Sequence, residues 1–322
     1  MKNFDPRWKD FPDYIIGITK EIWEDRGIAT LDHYYGADLP VRSPGSIVVG
    51  NKNVVAATMS TLAEFPDRTL FGEDVIWCEG NDDGLLSSHR LLSTATHTNP
   101  GVYGAATGKT VRYRIIADCY ARANQITDEW LVRDQGAIVR QMGWTPADYA
   151  RDLIDREGGP DACVKPFLPE NDVAGPYTGR GNDSDWGAKY ADILMRIMAA
   201  DFTVIPREYD RAVIGEYAGG VTAISHRAVD DFWIGLRASF PSATFKIHHV
   251  VGRDDAMMSP RAAIRWSLDG LNDGWGAFGR PTGKRVHIMG MSHAEFGPWG
   301  LRREYTLYDE TAVWKQIHLQ TG

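Results

Sequence analysis

A chain of 322 residues is too long for one ordinary core and suits two domains of about 150 residues each. Its apolar and charged fractions, 43% and 24%, are those of a soluble globular protein. A formal charge of −8 with no lysine or arginine cluster argues against nucleic acid and anionic membrane as partners.

The N-terminal stretch MKNFDPRWKDFPDYIIG has no apolar core long enough for a signal peptide, and no membrane-spanning run follows anywhere, so a cytoplasmic protein is expected. Residues 11–26 put Ile15, Ile18, Ile22 and Trp23 on one face at helical spacing. A short helix is expected in TLDHYYG with Thr30 as its cap, then an extended stretch over 39–49 broken by proline and glycine. Residues 50–65 read as a helix that Pro66 ends. Strands follow at about 68–79, 85–97, 110–122 and 125–134, the first two joined by a hairpin turn in NDDG at 81–84. TPADYARDLIDRE, 145–157, is a helix capped by Thr145, and the Gly-, Pro- and Asp-rich residues 158–184 read as a linker. Cys78, Cys119 and Cys163 lie far apart without CxxC spacing, which favours a reducing compartment over disulfides or a cysteine zinc site.

The chain repeats itself. GKTVRYRIIADCY from Gly108 and GKRVHIMGMSHAE from Gly283 lead into strands that end at Asp134 and Asp309, and both pairs have one offset: 283 − 108 = 175 and 309 − 134 = 175. The same offset pairs Ile22 with Ile197, Phe65-Pro66 with Phe240-Pro241, Arg90 with Arg265 and Gly104 with Gly279. Two copies of one fold are expected, a first domain over 1–157 and a second over 185–322. Each is helices first and then mostly antiparallel strands, an α+β plan with helices on one face of a sheet.

Strand alternation places Trp130, Val132 and Asp134 on one face and Glu129, Leu131 and Arg133 on the other. In the second copy Tyr305, Leu307 and Asp309 align. The aromatic, apolar stripe ends both times in an aspartate. A carboxylate there is costly unless bonded, wetted or used, so each aspartate is expected inside a cavity lined by its strand pair.

The helix order, the THTNPGVYGAATGK segment and ITDEWLVRDQGAIVRQMG resemble the SnoaL-like polyketide cyclases of the nuclear-transport-factor-2-like (NTF2-like) superfamily. LNDGWGAFGRPTGKRVHIMGMSHAEF carries a looser likeness in the second copy. The resemblance implies two cone-shaped α+β barrels in tandem, paired through their sheets as an internal pseudo-dimer that could assemble further into a homo-oligomer. In the family's cyclases an aspartate on the last strand acts as acid/base, assisted by a histidine on the strand before. Asp134 and Asp309 match the aspartate; Asp118 and His293 stand at the histidine position, so the second half keeps the Asp/His pair and is expected to be the active one. Removing a proton next to a carbonyl needs a base in a partly dry site, and no metal or cofactor. The implied function is cofactor-free acid/base chemistry, a cyclisation, isomerisation or lyase reaction, on a small organic carbonyl compound. The alternatives are a protein that binds such a ligand without turning it over, or one half that is only structural.

Arg90 and Arg265 would bind a substrate carboxylate or neutralise the aspartate of their own half. His89 and His97, on the third strand, are substrate contacts or satisfied core histidines. Trp77, Tyr120 and Trp266 line a cavity or fill the core. The neighbours His248 and His249 point to opposite faces of a strand and cannot readily share a metal.

Overall fold

A computed structural model describes residues 1–80 and 82–321. The first half begins with α1 (Phe11–Thr19), whose N-cap Asp10 accepts from the Asp13 amide, and α2 (Leu31–Tyr34). A short hairpin of β1 (Pro40–Ser43) and β2 (Ser46–Val49) follows, then α3 (Asn51–Glu64). The long strands are β3 (Phe71–Glu79), β4 (Leu85–Thr96), β5 (Thr110–Arg122) and β6 (Gln125–Arg133). Two helices, α4 (Gln135–Met142) and α5 (Pro146–Arg156), close this half, and the Thr145 side chain caps α5 as expected. Thr30 makes no cap; its hydroxyl bonds the Gly27 carbonyl. β3 and β4 pair up to Glu79↔Leu85. Asn81, the first residue of the expected hairpin turn, lies outside the described residues.

The second half repeats the order with α6 (Asp185–Met198), α7 (Val204–Glu208), β7 (Tyr209–Tyr217), β8 (Val221–Ile224), α8 (His226–Ser239) and β9 (Thr244–Arg253). It ends with β10 (Arg261–Leu271), β11 (Arg285–Gly297), β12 (Gly300–Tyr308) and α9 (Glu310–Thr321). The sheet orders are β2-β1-β6-β5-β4-β3 and β8-β7-β12-β11-β10-β9. Only β1·β6 and β7·β12 are parallel among these pairs. The register repeats as well: Asp118 pairs with Trp130 and His293 with Tyr305. This is the expected layout of two α+β domains in tandem, each a six-stranded mixed sheet with its own helices. Among the described residues no helix is long and apolar enough to cross a membrane.

Both faces of each sheet are buried. One face wraps the helices of its own half: Ala117 and Cys119 pack with Tyr14, Ile15 and Ile18. The other face meets the other sheet, where Ile116, Trp130 and Val132 pack against Met289, Met291, Tyr305 and Leu307. Charge is threaded through this seam with a pseudo-two-fold relation. Arg265 lies 3.8 Å over the Trp130 ring and donates to Asp118 at 3.0 Å. Arg90 lies 3.4 Å over Tyr305 and meets His293 Nδ1 at 3.3 Å, with Glu73 and Glu295 as its carboxylate partners. Phe167 and Tyr177 of the segment 158–184 pack into the seam. Arg42 bonds Asp128 and Asp172, and Tyr177 packs between Tyr120 and His249.

Asp118 and Arg265 are an ion pair with little water, so removing one partner strands a charge. Asp118→Leu is expected to cost about 3–5 kcal/mol, with most of it recovered in Asp118→Leu/Arg265→Met. Urea unfolding of the two variants checks this, and equal losses in both would refute it.

Candidate active site

The main cavity, about 410 Å³, lies inside the first cone, bounded by α1, α3, β1–β2 and the inner face of β4–β6. Ile15, Ile18, Trp23, Leu91, Ile115 and Leu131 make most of its wall apolar. The strand face that lines it carries Glu129, Leu131 and Arg133, not Trp130, Val132 and Asp134. The expected inside and outside are therefore exchanged. Alternation gives two stripes, and here the more apolar one is used for sheet-to-sheet packing.

Glu129 sits in this cavity on β6. Burial pushes its carboxyl up to about 7, although the Tyr35 phenol and the Cys119 thiol beside it pull the other way. Its Oε2 is buried with no hydrogen-bond partner. On the same wall His89 meets Ser87 Oγ through Nδ1 at 3.2 Å, and burial lowers its pKa to about 4, so the ring is neutral at pH 7. Further along the cavity stand Arg68, which donates from Nε to Tyr113 Oη at 3.2 Å, and Arg133, whose Nε is buried without a partner.

The second half contributes one end of this wall. Asp309, at the start of α9, accepts through Oδ1 from the Thr311 amide and hydroxyl and the Ala312 amide, and it borders the cavity. Burial raises its pKa to about 6 against those bonds. Its counterpart Asp134 is placed differently. Asp134 caps α4 through the Ala137 amide and takes the Gly219 and Gly220 amides of the β7–β8 turn, where φ is 82° and 73°. In the first half that turn is Pro44-Gly45, and a proline has no N–H to give. Lys315 of α9 also borders the cavity but is paired with Glu157 at 2.5 Å.

The interior of the second cone is filled. Glu304 stands where Glu129 does (129 + 175 = 304) and is saturated by four donors. These are Tyr190 at 2.8 Å, Tyr209 at 3.0 Å, Tyr217 at 2.5 Å and the Trp233 indole at 3.2 Å. Trp233 replaces Thr58 and Trp266 replaces Leu91. Trp266 fits because its strand partner is Gly290, where a Cβ would lie 2.1 Å from the indole; the first half has Ile115 there.

Of the expected catalytic residues, then, only Asp309 borders the cavity. Asp118 and His293 face each other's half across the seam, where His293 bonds Ser88 Oγ at 2.8 Å, and Asp134 is a helix cap. Arg90 and Arg265 are seam residues, and the carboxylate that Arg265 neutralises belongs to the other half. His89 is at the cavity. His97 is locked between Glu64 at 3.0 Å and Thr107 at 3.1 Å. Trp77 packs on Phe11 under Arg253, Tyr120 bonds Asp82 in the seam, and Trp266 is core. Glu129, Arg133, Arg68 and Tyr113 escape sequence reasoning. One sign of the first is present in the chain: a glutamate recurs at 129 and 304 beside the aromatic stripe.

No protein-family model matches the sequence, and no curated protein matches it. Similar solved structures include a SnoaL-like polyketide cyclase from Agrobacterium tumefaciens, 20% identical, covering 44% of this chain and 100% of its own, TM-score 0.33. IdmH from Streptomyces antibioticus is 20% identical over 41% of this chain and 98% of its own, TM-score 0.35. AclR from Streptomyces galilaeus is 15% identical over 41% and 97%, TM-score 0.34. Each is as long as about one half of this chain. Likeness of this size carries no argument about chemistry, which rests on the site's own geometry.

A raised carboxyl loads the folded state with a proton that the unfolded chain releases at its ordinary value of 4.5. Stability is therefore expected to fall as pH rises from about 4.5 to about 7, with Asp309 and Asp134 contributing in the same sense. Glu129→Gln should flatten this slope and be the more stable protein at pH 8. Thermal melts across that range check it; an unchanged slope would contradict the burial argument.

Proposed function

We propose that the first half binds a small, mostly apolar organic carbonyl compound and acts on it by cofactor-free acid/base chemistry, with Glu129 as the proton-transferring group. The observation that carries this reading is the Glu129 carboxyl itself: buried, short of partners, held up to about 7, and facing a cavity of about 410 Å³. A carboxyl poised near neutrality can take a proton from carbon as carboxylate and return one as acid. The cavity volume falls in the range of sites for drug-sized ligands. Neutral His89 on the same wall, Tyr35 beside Glu129, and Asp309 at the cavity's border are further groups able to handle a proton. This moves the expected activity from the second half, whose own glutamate is fully bonded and whose interior is packed, to the first.

The competing reading is binding without turnover, and the apolar lining supports it equally. The two separate when the protein is incubated with a small-molecule extract in D2O and the retained molecules are weighed by mass spectrometry. Deuterium uptake by a retained ligand, lost by about a hundredfold in Glu129→Gln while retention persists, is the expected result. Uptake unchanged by the substitution would remove Glu129 as the acid/base, and retention without any uptake would leave a binding protein.

A further inference from the structure

The apolar cavity holds two guanidinium groups that form no salt bridge among the described residues; the Tyr113 and Tyr103 phenols and the Asp309 carboxylate are the groups that act on Arg133. Lys315, the other cation on the wall, is paired with Glu157. Arg68, 7% exposed, donates from Nε to the Tyr113 phenol oxygen. Arg133 forms no ion pair among the described residues, and its Nε has no acceptor. Asp309 is on the same wall but holds its bonds to the start of α9. Burial disfavours the Arg133 cation and the neighbouring Tyr113 and Tyr103 phenols favour it; a ligand carboxylate, which a guanidinium can bind through two parallel hydrogen bonds, would be a stronger partner than either phenol.

Tyr113 reports the local field. Burial alone would raise its phenol, yet Arg68 and Arg133 together hold it below its usual value. The repeat supplies an internal control. In the filled half Arg68 is replaced by Ala243 and Arg133 by Tyr308 (68 + 175 = 243, 133 + 175 = 308). The cone is built there without either cation, so neither is a requirement of the fold. Both occur in the half that has a cavity.

We infer that this cavity selects an organic acid: an elongated, mostly apolar scaffold whose anionic group, foremost a carboxylate, seats against Arg133 and Arg68 while its other end reaches Glu129. The length follows from the strand. Glu129 and Arg133 share one face of β6 four residues apart, which separates their Cα atoms by about 13 Å. The inference rests on the reading that this cavity takes a ligand and stands whether or not Glu129 turns it over.

Two fluorescent probes that differ by one anionic group test it on the full chain. They are 8-anilinonaphthalene-1-sulfonate and its neutral counterpart N-phenyl-1-naphthylamine. The anion should bind roughly tenfold more tightly, the scale of one charge-assisted hydrogen bond. Arg133→Met should erase that preference and leave the neutral probe's affinity unchanged; if that variant does not fold by circular dichroism, Arg68→Met carries the same reading by reducing the preference. Thr58→Trp, which copies the filled half, should abolish binding of both probes and so locate them in the cavity. Glu129→Gln should keep the anion preference, which separates this inference from the acid/base reading. Equal affinities in the unmodified protein, a preference that survives removal of both arginines, or sulfonate binding that persists in Thr58→Trp would each overturn it.

Discussion

One buried carboxylate in each cone organises this protein, and what surrounds it decides what each half is. In the second half four donors close on Glu304, and the surplus volume is taken up by Trp233 and Trp266. A buried charge without a chemical role is accommodated in this way, with every lone pair answered and no space left around it. In the first half the same strand position carries Glu129 beside an open cavity, with one oxygen unanswered. An unanswered buried oxygen is costly to keep, and the chain keeps it in only one of its two copies.

The divergence is achieved by few replacements. Thr58 against Trp233, Leu91 with Ile115 against Trp266 with Gly290, and Arg133 against Tyr308 convert an open interior into a filled one while the strand order is kept. The packed half is still part of the site. Its α9 brings Asp309 to the cavity, and the Pro44-Gly45 turn leaves Asp309 without the two amides that Asp134 receives from Gly219 and Gly220.

The fold was legible in the sequence because its signals are local and repeated. The strands of β4–β6, the stop at Pro66, the Thr145 cap and the 175-residue offset all survive in the structure. The site was less legible, for one physical reason. Alternation identifies two faces of a strand but not which is inside, and the usual tiebreak is that the apolar stripe faces the core. In this chain both faces are covered, one by a cavity with polar groups and the other by a second sheet. The apolar stripe of Trp130 and Val132 went to the sheet seam, and Asp118, His293, Arg90 and Arg265 went with it. Across a seam made by chain segments 147 residues apart, no spacing rule places Asp118 beside Arg265. Arg68 and Arg133 were hidden for the opposite reason: an arginine is ordinary in sequence until it is seen lining a cavity with no salt bridge among the described residues.

The account is tested most directly by a crystal structure of the full chain grown with an aromatic acid such as 1-hydroxy-2-naphthoate. It predicts the ring system inside the first cone, its carboxylate against Arg133 or Arg68 and Glu129 lining the same space, with the second interior closed around Glu304. A molecule lodged between the two sheets against Asp118 and His293, or inside the second cone, would contradict it.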